Sequence, residues 1–220
     1  MEKELLRHVE ELIKRYPSLK KNYESIVKAY KVIEECYLSD HKLLTAGNGG
    51  SSADASHIVG ELMKSFVLPR KCEGELTQRM INIDKEKGKL ISSKIGKSIT
   101  AISLCENQGL TTAFLNDVSD GAKYVYAQQL YGYGKPGDVF LALSTSGNSE
   151  NVINAAIVAK ALGIKVIAFT GISGGALSKY ADVCIKAPEN ETYKVQELHL
   201  PIYHCLCMMI EERLFGQNKK

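Results

Sequence analysis

The sequence predicts an α/β fold in which a five-stranded parallel sheet is covered by helices on both faces. Five short apolar runs, KLLTA (42–46), SITAISL (98–104), DVFLALS (138–144), IKVIAFT (164–170) and ADVCIKA (181–187), alternate with helical patterns. Strands joined by helices form right-handed crossovers, and these build a parallel sheet. Two loops rich in glycine and serine, 46–52 and 144–149, each follow a strand and open a helix, the place where open parallel sheets bind ligands. A chain of 220 residues, 45% hydrophobic and 24% charged, suits one such domain over 1–220 and excludes disordered or collagen-like structure.

The elements follow in order. Leu5, Val9, Leu12, Ile13 and Tyr16 recur at helical spacing, and Pro17 ends the run. A second amphipathic helix, Ser18 to Leu38, lines up Leu19, Tyr23, Ile26, Val27, Tyr30, Ile33 and Cys36. This leading pair over 1–40 precedes the α/β core of 42–220, and its apolar stripes need a partner, for which a second subunit is a candidate. Helices are expected at Ser52–Phe66, Leu110–Leu115, Lys123–Tyr131, Asn151–Leu162 and Gly175–Tyr180. Val67–Lys97 reads as irregular. The last helix, Thr192–Phe215, contains Pro201, which removes a backbone hydrogen bond and predicts a kink.

Charge and cysteine usage narrow the function classes. Twenty-eight Lys+Arg against 25 Asp+Glu leave a net charge of +3, too little for a nucleic-acid binder. The longest apolar run, Cys205–Ile210, is far shorter than the roughly 20 residues that span a bilayer. The N-terminus mixes both charge signs and lacks the apolar stretch of a secretory signal. The expectation is a cytoplasmic protein that binds neither nucleic acid nor membrane. Its six cysteines fit free thiols in a reducing compartment, with Cys205 and Cys207 as small apolar fillers of a buried helix rather than metal ligands beside His204.

Chemistry concentrates in the two loops and two helices. Glycines in Ala46-Gly47-Asn48-Gly49-Gly50-Ser51-Ser52 let the backbone approach a ligand, and Ser144, Thr145, Ser146 and Ser149 place four hydroxyls within six residues. Both loops suit a phosphate or sugar hydroxyls at a helix N-terminus. Neither carries the G-x-G-x-x-G spacing of a dinucleotide site, and Gly96-Lys97-Ser98 fails as a P-loop because Ile91 stands where its first glycine belongs. His57 and Glu61, four apart on the helix opened by the first loop, project from one face. They can share a divalent metal, or work as a base and its orienter, although such a pair is more often a simple surface interaction. The last helix adds Gln196, Glu197, His199 and His204. Gln196 and His204 are about 12 Å apart along a straight helix, a gap that long side chains and a kink at Pro201 can narrow. His199 reads as a surface or interface residue.

Taken together, these residues resemble the SIS (sugar isomerase) domains, and within them the phosphoheptose isomerases. The matching residues are Gly47-Asn48-Gly49-Gly50-Ser51, His57 with Glu61, Asn116-Asp117, Ser144-Thr145-Ser146-Gly147-Asn148-Ser149, Thr170-Gly171 with Gly174-Gly175, and Gln196-Glu197 followed by His204, in the family's order over nearly the whole chain. The resemblance implies a SIS-type three-layer sandwich, the leading helices serving a homotetramer with active sites between subunits. It implies zinc held by His57, Glu61, Gln196 and His204. It also implies sugar-phosphate contacts from Asn48, Gly49, Gly50, Ser51, Asn116, Asp117, Ser144, Thr145, Ser146, Ser149 and Gln196. Two departures stand out: Ser65 occupies a usually basic position, with Lys64 just before it, and the stretch 68–97 is longer than in the best-known members.

The activity so implied is aldose–ketose isomerisation of sedoheptulose 7-phosphate to D-glycero-D-manno-heptose 7-phosphate through an enediol, with Glu61 and His204 as candidate base and acid. An isomerase for another phosphosugar is one alternative. A non-catalytic SIS binding protein, like the relative that associates with the replication initiator, is another, but that relative lacks the carboxylate and histidine present here. Residues 64–98 hold nine basic and four acidic side chains, a surplus of five that leaves the remainder at −2. Two readings of this surplus stand side by side: Lys64, Arg70 or Lys71 near a sugar-phosphate site, raising the local anion concentration, or a plain solvated loop.

Overall fold

The computed structural model describes residues 2–216; Met1 and residues 217–220 lie outside them. Helix α1 (Glu2–Arg15) ends before Pro17, and a 3-10 turn (Pro17–Asn22) leads into α2 (Tyr23–Leu38). The core then runs β1 (Leu43–Ala46), α3 (Gly50–Met63), α4 (Glu75–Ile83), α5 (Lys85–Lys94), β2 (Ala101–Ser103), α6 (Gln108–Asp117), α7 (Val125–Tyr133) and β3 (Val139–Leu143). It continues through α8 (Glu150–Ala161), β4 (Lys165–Thr170), a short 3-10 turn (Ala176–Lys179), β5 (Val183–Lys186) and α9 (Thr192–Phe215). The five strands form one parallel sheet in the order β2-β1-β3-β4-β5. Central β3 is buried along its whole length, as continuous apolar strands are when helices cover both faces.

Two apolar layers sandwich the sheet. On one side α1, the 3-10 turn after it, α2, α3 and α9 pack through Val9, Leu19, Ile26, Ile58, Ile202 and Met209 against Leu141 and Phe169. On the other, α7 and α8 pack through Leu130, Val152 and Ala156 against Phe140 and Val166. The leading helices thus bury their stripes on α9 and the sheet of their own chain, so the stripes themselves require no second subunit. Helix α9 runs unbroken through the buried Pro201. Cys205 and Cys207 lie in the core, where burial raises both thiol pKa values, that of Cys205 to about 12. Among the described residues no helix is long and apolar enough to cross a membrane.

The stretch 67–97 departs from its sequence reading. It is a helical hairpin, α4 and α5, rather than irregular chain. Asp84 ends α4 and caps α5, its carboxylate accepting from the N–H groups of Glu86 and Lys87 at 3.1 and 2.9 Å. A Cβ at Gly88 would collide with the Met80 carbonyl, so only glycine lets the helices approach so closely. Short helices dense in charge gave little apolar periodicity to read, although Leu76, Met80 and Ile83 do share a face.

Arg70 also differs from expectation. It is 3% exposed and pairs with the equally buried Glu211 at 2.6 Å. Its guanidinium also donates to the carbonyls of Leu62 and Glu61, the orphan acceptors at the end of α3. Glu211 accepts as well from the N–H groups of Phe66, Val67 and Leu68. A guanidinium so committed cannot attract substrate anions; it locks α3 onto α9.

Candidate active site

In this strand order the crossover direction reverses between β1 and β3, which opens a crevice at their carboxyl ends. Both glycine- and serine-rich loops leave the sheet there. Asn48 and Asn151 join them through two reciprocal amide hydrogen bonds of 2.9 Å. Tyr126 supports the first loop from below, its hydroxyl donating to the Gly47 carbonyl at 2.6 Å. In the second, Ser144 and Ser149 share a hydrogen bond of 2.9 Å, and Ser146 accepts from the Asn148 N–H at 3.1 Å. Ser149 stands at the N-cap of α8 yet does not cap it, and Gly49 at the N-cap of α3 has no side chain to do so. At α3 the N–H groups of Ser51 and Ser52 already donate to the Asn48 and Gly49 carbonyls at 3.0 Å, so the N–H of Gly50 and the first N–H groups of α8 are the ones left for a ligand.

A third loop, 171–175, packs against the second. Gly171 donates to the Thr145 carbonyl at 2.8 Å, and Leu177 to the Gly147 carbonyl at 2.9 Å. Gly147 has φ +67°, and a Cβ there would strike the Gly174 carbonyl. Asn48, Gly49, Gly50 and Ser146 are exposed, Thr145 and Ser149 half-buried, Ser51 and Ser144 buried. The crevice is thus rigid at its floor and open at its rim.

The titratable groups gather on the seam between α3 and α9. His57 Nε2 lies 3.1 Å from Glu61 Oε1, and Lys64 Nζ lies 2.7 Å from Glu61 Oε2. The His204 ring stands edge-on to that of His57, with centroids 5.0 Å apart, and its Nε2 is buried without a hydrogen-bond partner. Burial, helped by the charge of His57, lowers the His204 pKa, which favours the neutral ring. Burial alone would raise the Glu61 carboxyl, but Lys64 and His57 outweigh it and hold it below the usual range. Behind His57, the Tyr203 hydroxyl lies 2.9 Å from Nδ1 and 3.2 Å from Asp54 Oδ1. The seam thus holds an ionised carboxylate, an imidazole with a buried free nitrogen, and a second imidazole braced from behind.

Comparison with known proteins identifies the family. A family model described as SIS domain matches residues 110–171. The phosphoheptose isomerase of Aneurinibacillus thermoaerophilus is 35% identical over 84% of this chain and 79% of its own length. That of Sulfurimonas denitrificans is 37% identical over 83% and 79%. The chain belongs to the phosphoheptose isomerase family. Among solved structures, the phosphoheptose isomerase of Francisella tularensis matches with a TM-score of 0.73 at 28% identity, covering 94% of this chain and 95% of its own. The Neisseria gonorrhoeae phosphoheptose isomerase gives 0.68 at 30% identity, covering 95% and 94%.

Of the residues that the phosphoheptose isomerase pattern singles out, one chain brings together two groups. His57, Glu61 and His204 meet on the seam, while Asn48 to Ser51 and Ser144 to Ser149 meet at the crevice. The Gln196 amide belongs to the second group, since a Cβ on Gly50 would lie 2.6 Å from its Nε2. Asn116 and Asp117 join neither; they are exposed at the end of α6, and the Asn116 amide donates to Asp117. Lys64 is at the site but bound to Glu61. His199 is fully buried, not at a surface, with Nε2 3.2 Å from the Thr170 carbonyl, and burial pushes its pKa down to about 4. Sequence reasoning missed Asp54, Tyr203, Tyr126 and Asn151. Asp54 carried a signal, one turn before His57 on the same face; Tyr203 was hidden in an apolar run.

Proposed function

We propose that this chain interconverts sedoheptulose 7-phosphate and D-glycero-D-manno-heptose 7-phosphate, an aldose–ketose isomerisation through an enediol. The observation that carries the assignment of the chemistry is the buried, unpartnered Nε2 of His204 beside the His57–Glu61 pair. An orphan nitrogen in such a place is a costly feature unless a ligand completes it. The phosphoheptose isomerases to which the chain is similar support the choice of sugar.

The crevice holds the 7-phosphate: Ser144, Thr145, Ser146 and Ser149 offer hydroxyls, the first turn of α8 offers N–H groups, and Asn48, Gly49, Gly50, Ser51 and Gln196 line the opposite side. Glu61, ionised and steadied by Lys64, lifts the proton from C1. His204 gives a proton to the C2 carbonyl oxygen to form the enediol and takes the proton from the C1 hydroxyl as Glu61 returns its proton to C2, which leaves the C1 aldehyde of the aldose. The loop glycines and the braced His57 hold the reacting carbons in register between these groups.

The seam also fits a divalent metal. His57 Nε2, Glu61 and the orphan His204 Nε2 are the donor set zinc prefers. Among the described residues no three His, Cys, Asp or Glu side chains already close around one point, and Glu61 is engaged by His57 and Lys64. Zinc held by His57, Glu61 and His204, with the Gln196 amide turned from Gly50 to join them, would polarise the sugar carbonyl as a Lewis acid in place of the free base and acid, because a metal-bound carboxylate is a poor base. Asn116 and Asp117, exposed and away from the crevice, suit a role in a neighbour's site within a homotetramer, and the cytoplasm is the compartment this reading implies.

The test is incubation of the full chain with sedoheptulose 7-phosphate, with and without added zinc, and identification of the product by NMR. Formation of the heptose 7-phosphate is expected. Recovery of unchanged ketose under both conditions overturns the assignment.

A further inference from the structure

We propose that Tyr203 is a positioning residue that, backed by Asp54, fixes the proton of His57 on Nδ1 and so keeps Nε2 a lone pair for a cation. The phenol has one proton, and a carboxylate only accepts. Tyr203 therefore donates to Asp54 Oδ1 at 3.2 Å, and its oxygen accepts from His57 Nδ1–H at 2.9 Å. This orders the chain Asp54, Tyr203, His57 in one direction. In the neutral ring the consequence appears on the far side, where Nε2 and Glu61 Oε1, 3.1 Å apart, then face each other lone pair to lone pair. Only a proton or a metal ion between them makes that contact favourable. The unpartnered Nε2 of His204 points to the same need.

Two further observations support a role beyond packing. Asp54 Oδ2 is buried with no hydrogen-bond partner, an arrangement proteins rarely keep without a use. Tyr203 is 1% exposed, and its ring stands edge-on to both His57 and His204, so its hydroxyl has little room to turn elsewhere. Without that hydroxyl, His57 is free to move its proton to Nε2 and donate it to Glu61. The seam would then satisfy itself and close to a cation. Orienting partners of this kind typically change metal affinity about ten- to a hundredfold.

The meaning for catalysis rests on the proposed isomerase, but the tautomer does not, so the first readout is the imidazole itself. Full-length protein carrying 15N-histidine is examined without metal by two-bond 1H–15N spectra, His57 being assigned by the loss of its signals in His57→Gln. The parent is expected to show His57 protonated on Nδ1, and Tyr203→Phe to move the proton to Nε2. Cobalt(II) affinity is expected to fall about ten- to a hundredfold in Tyr203→Phe, with the melting temperature of the metal-free protein little changed. Asp54→Asn, which still offers an oxygen to the phenol, should keep the parental tautomer, whereas Asp54→Ala should lose it. The Asp54 pair decides the matter even if Tyr203→Phe does not fold. A parent protonated on Nε2, or a tautomer and cobalt affinity unmoved by both Tyr203→Phe and Asp54→Ala, overturns the proposal. An inactive parent whose tautomer responds as described contradicts only the isomerase assignment; an active parent whose tautomer does not respond contradicts only this one.

Discussion

The crevice at the carboxyl ends of β1 and β3 and the seam between α3 and α9 are built in opposite ways. In the crevice the polar groups are backbone N–H and small hydroxyls, interlocked by Asn48–Asn151, Ser144–Ser149 and the bonds to the 171–175 loop. It carries little that titrates and leaves its rim open. The seam is made of long titratable side chains, one of them with a buried free nitrogen, clamped at the end of α3 by the Arg70–Glu211 pair. A site of fixed dipoles holds an anion without changing; a site of imidazoles and a carboxylate moves protons. On the proposed function, anchoring falls to one region and chemistry to the other, and each can then be damaged without the other.

The largest effect should come from the seam. His204→Asn removes the proposed acid while leaving the crevice untouched, and kcat should fall by about 10² to 10⁴, the usual worth of a positioned acid or base. Steady-state turnover of sedoheptulose 7-phosphate checks it, and a rise in KM with kcat unchanged would erase the division between the regions.

The next effect concerns the support of the crevice. His199 holds the Thr170 carbonyl, just before the loop that braces Thr145. Burial lowers its pKa from 6.5 to about 4. Between those values the unfolded chain binds the proton and the folded chain does not, so stability rises with pH. This contribution is complete above pH 6.5 and is lost as the pH falls toward 4, by up to about 3 kcal/mol. Urea midpoints across that window should show the slope in the parent and its reduction in His199→Gln.

A smaller loss is expected at Gly147, where φ is +67° and the Gly174 carbonyl occupies the space of a Cβ. Gly147→Ala should cost about 1 to 3 kcal/mol of stability and raise KM more than it lowers kcat. Equal damage to both constants would show that the crevice and the seam act as one unit.

The same contrast explains what could be read from the sequence. The crevice is local: strand, glycine, hydroxyls and helix follow one another in the chain, so its loops were visible as two short segments. The seam joins residues nearly 150 positions apart. Local spacing placed His57 and Glu61 on one face, but only family resemblance linked them to His204. Tyr203 escaped because its ring is core and only its hydroxyl works, and a tyrosine in an apolar helix reads as packing. Arg70 was misjudged for a related reason. Its partner Glu211 lies on the last helix, and nothing near Arg70 in sequence shows that its charge is already neutralised. The hairpin at 75–94 was missed because its lengths are short and its turn rests on one aspartate cap and one glycine.

The central claim is that binding and chemistry reside in separate places, and Glu61→Gln tests it most directly when sedoheptulose 7-phosphate binding and turnover are measured on the same preparation. Dissociation constants within a few-fold of the parent, together with a kcat lowered by about 10² to 10⁴, are the expected result. Near-parental turnover in the folded variant would contradict the account.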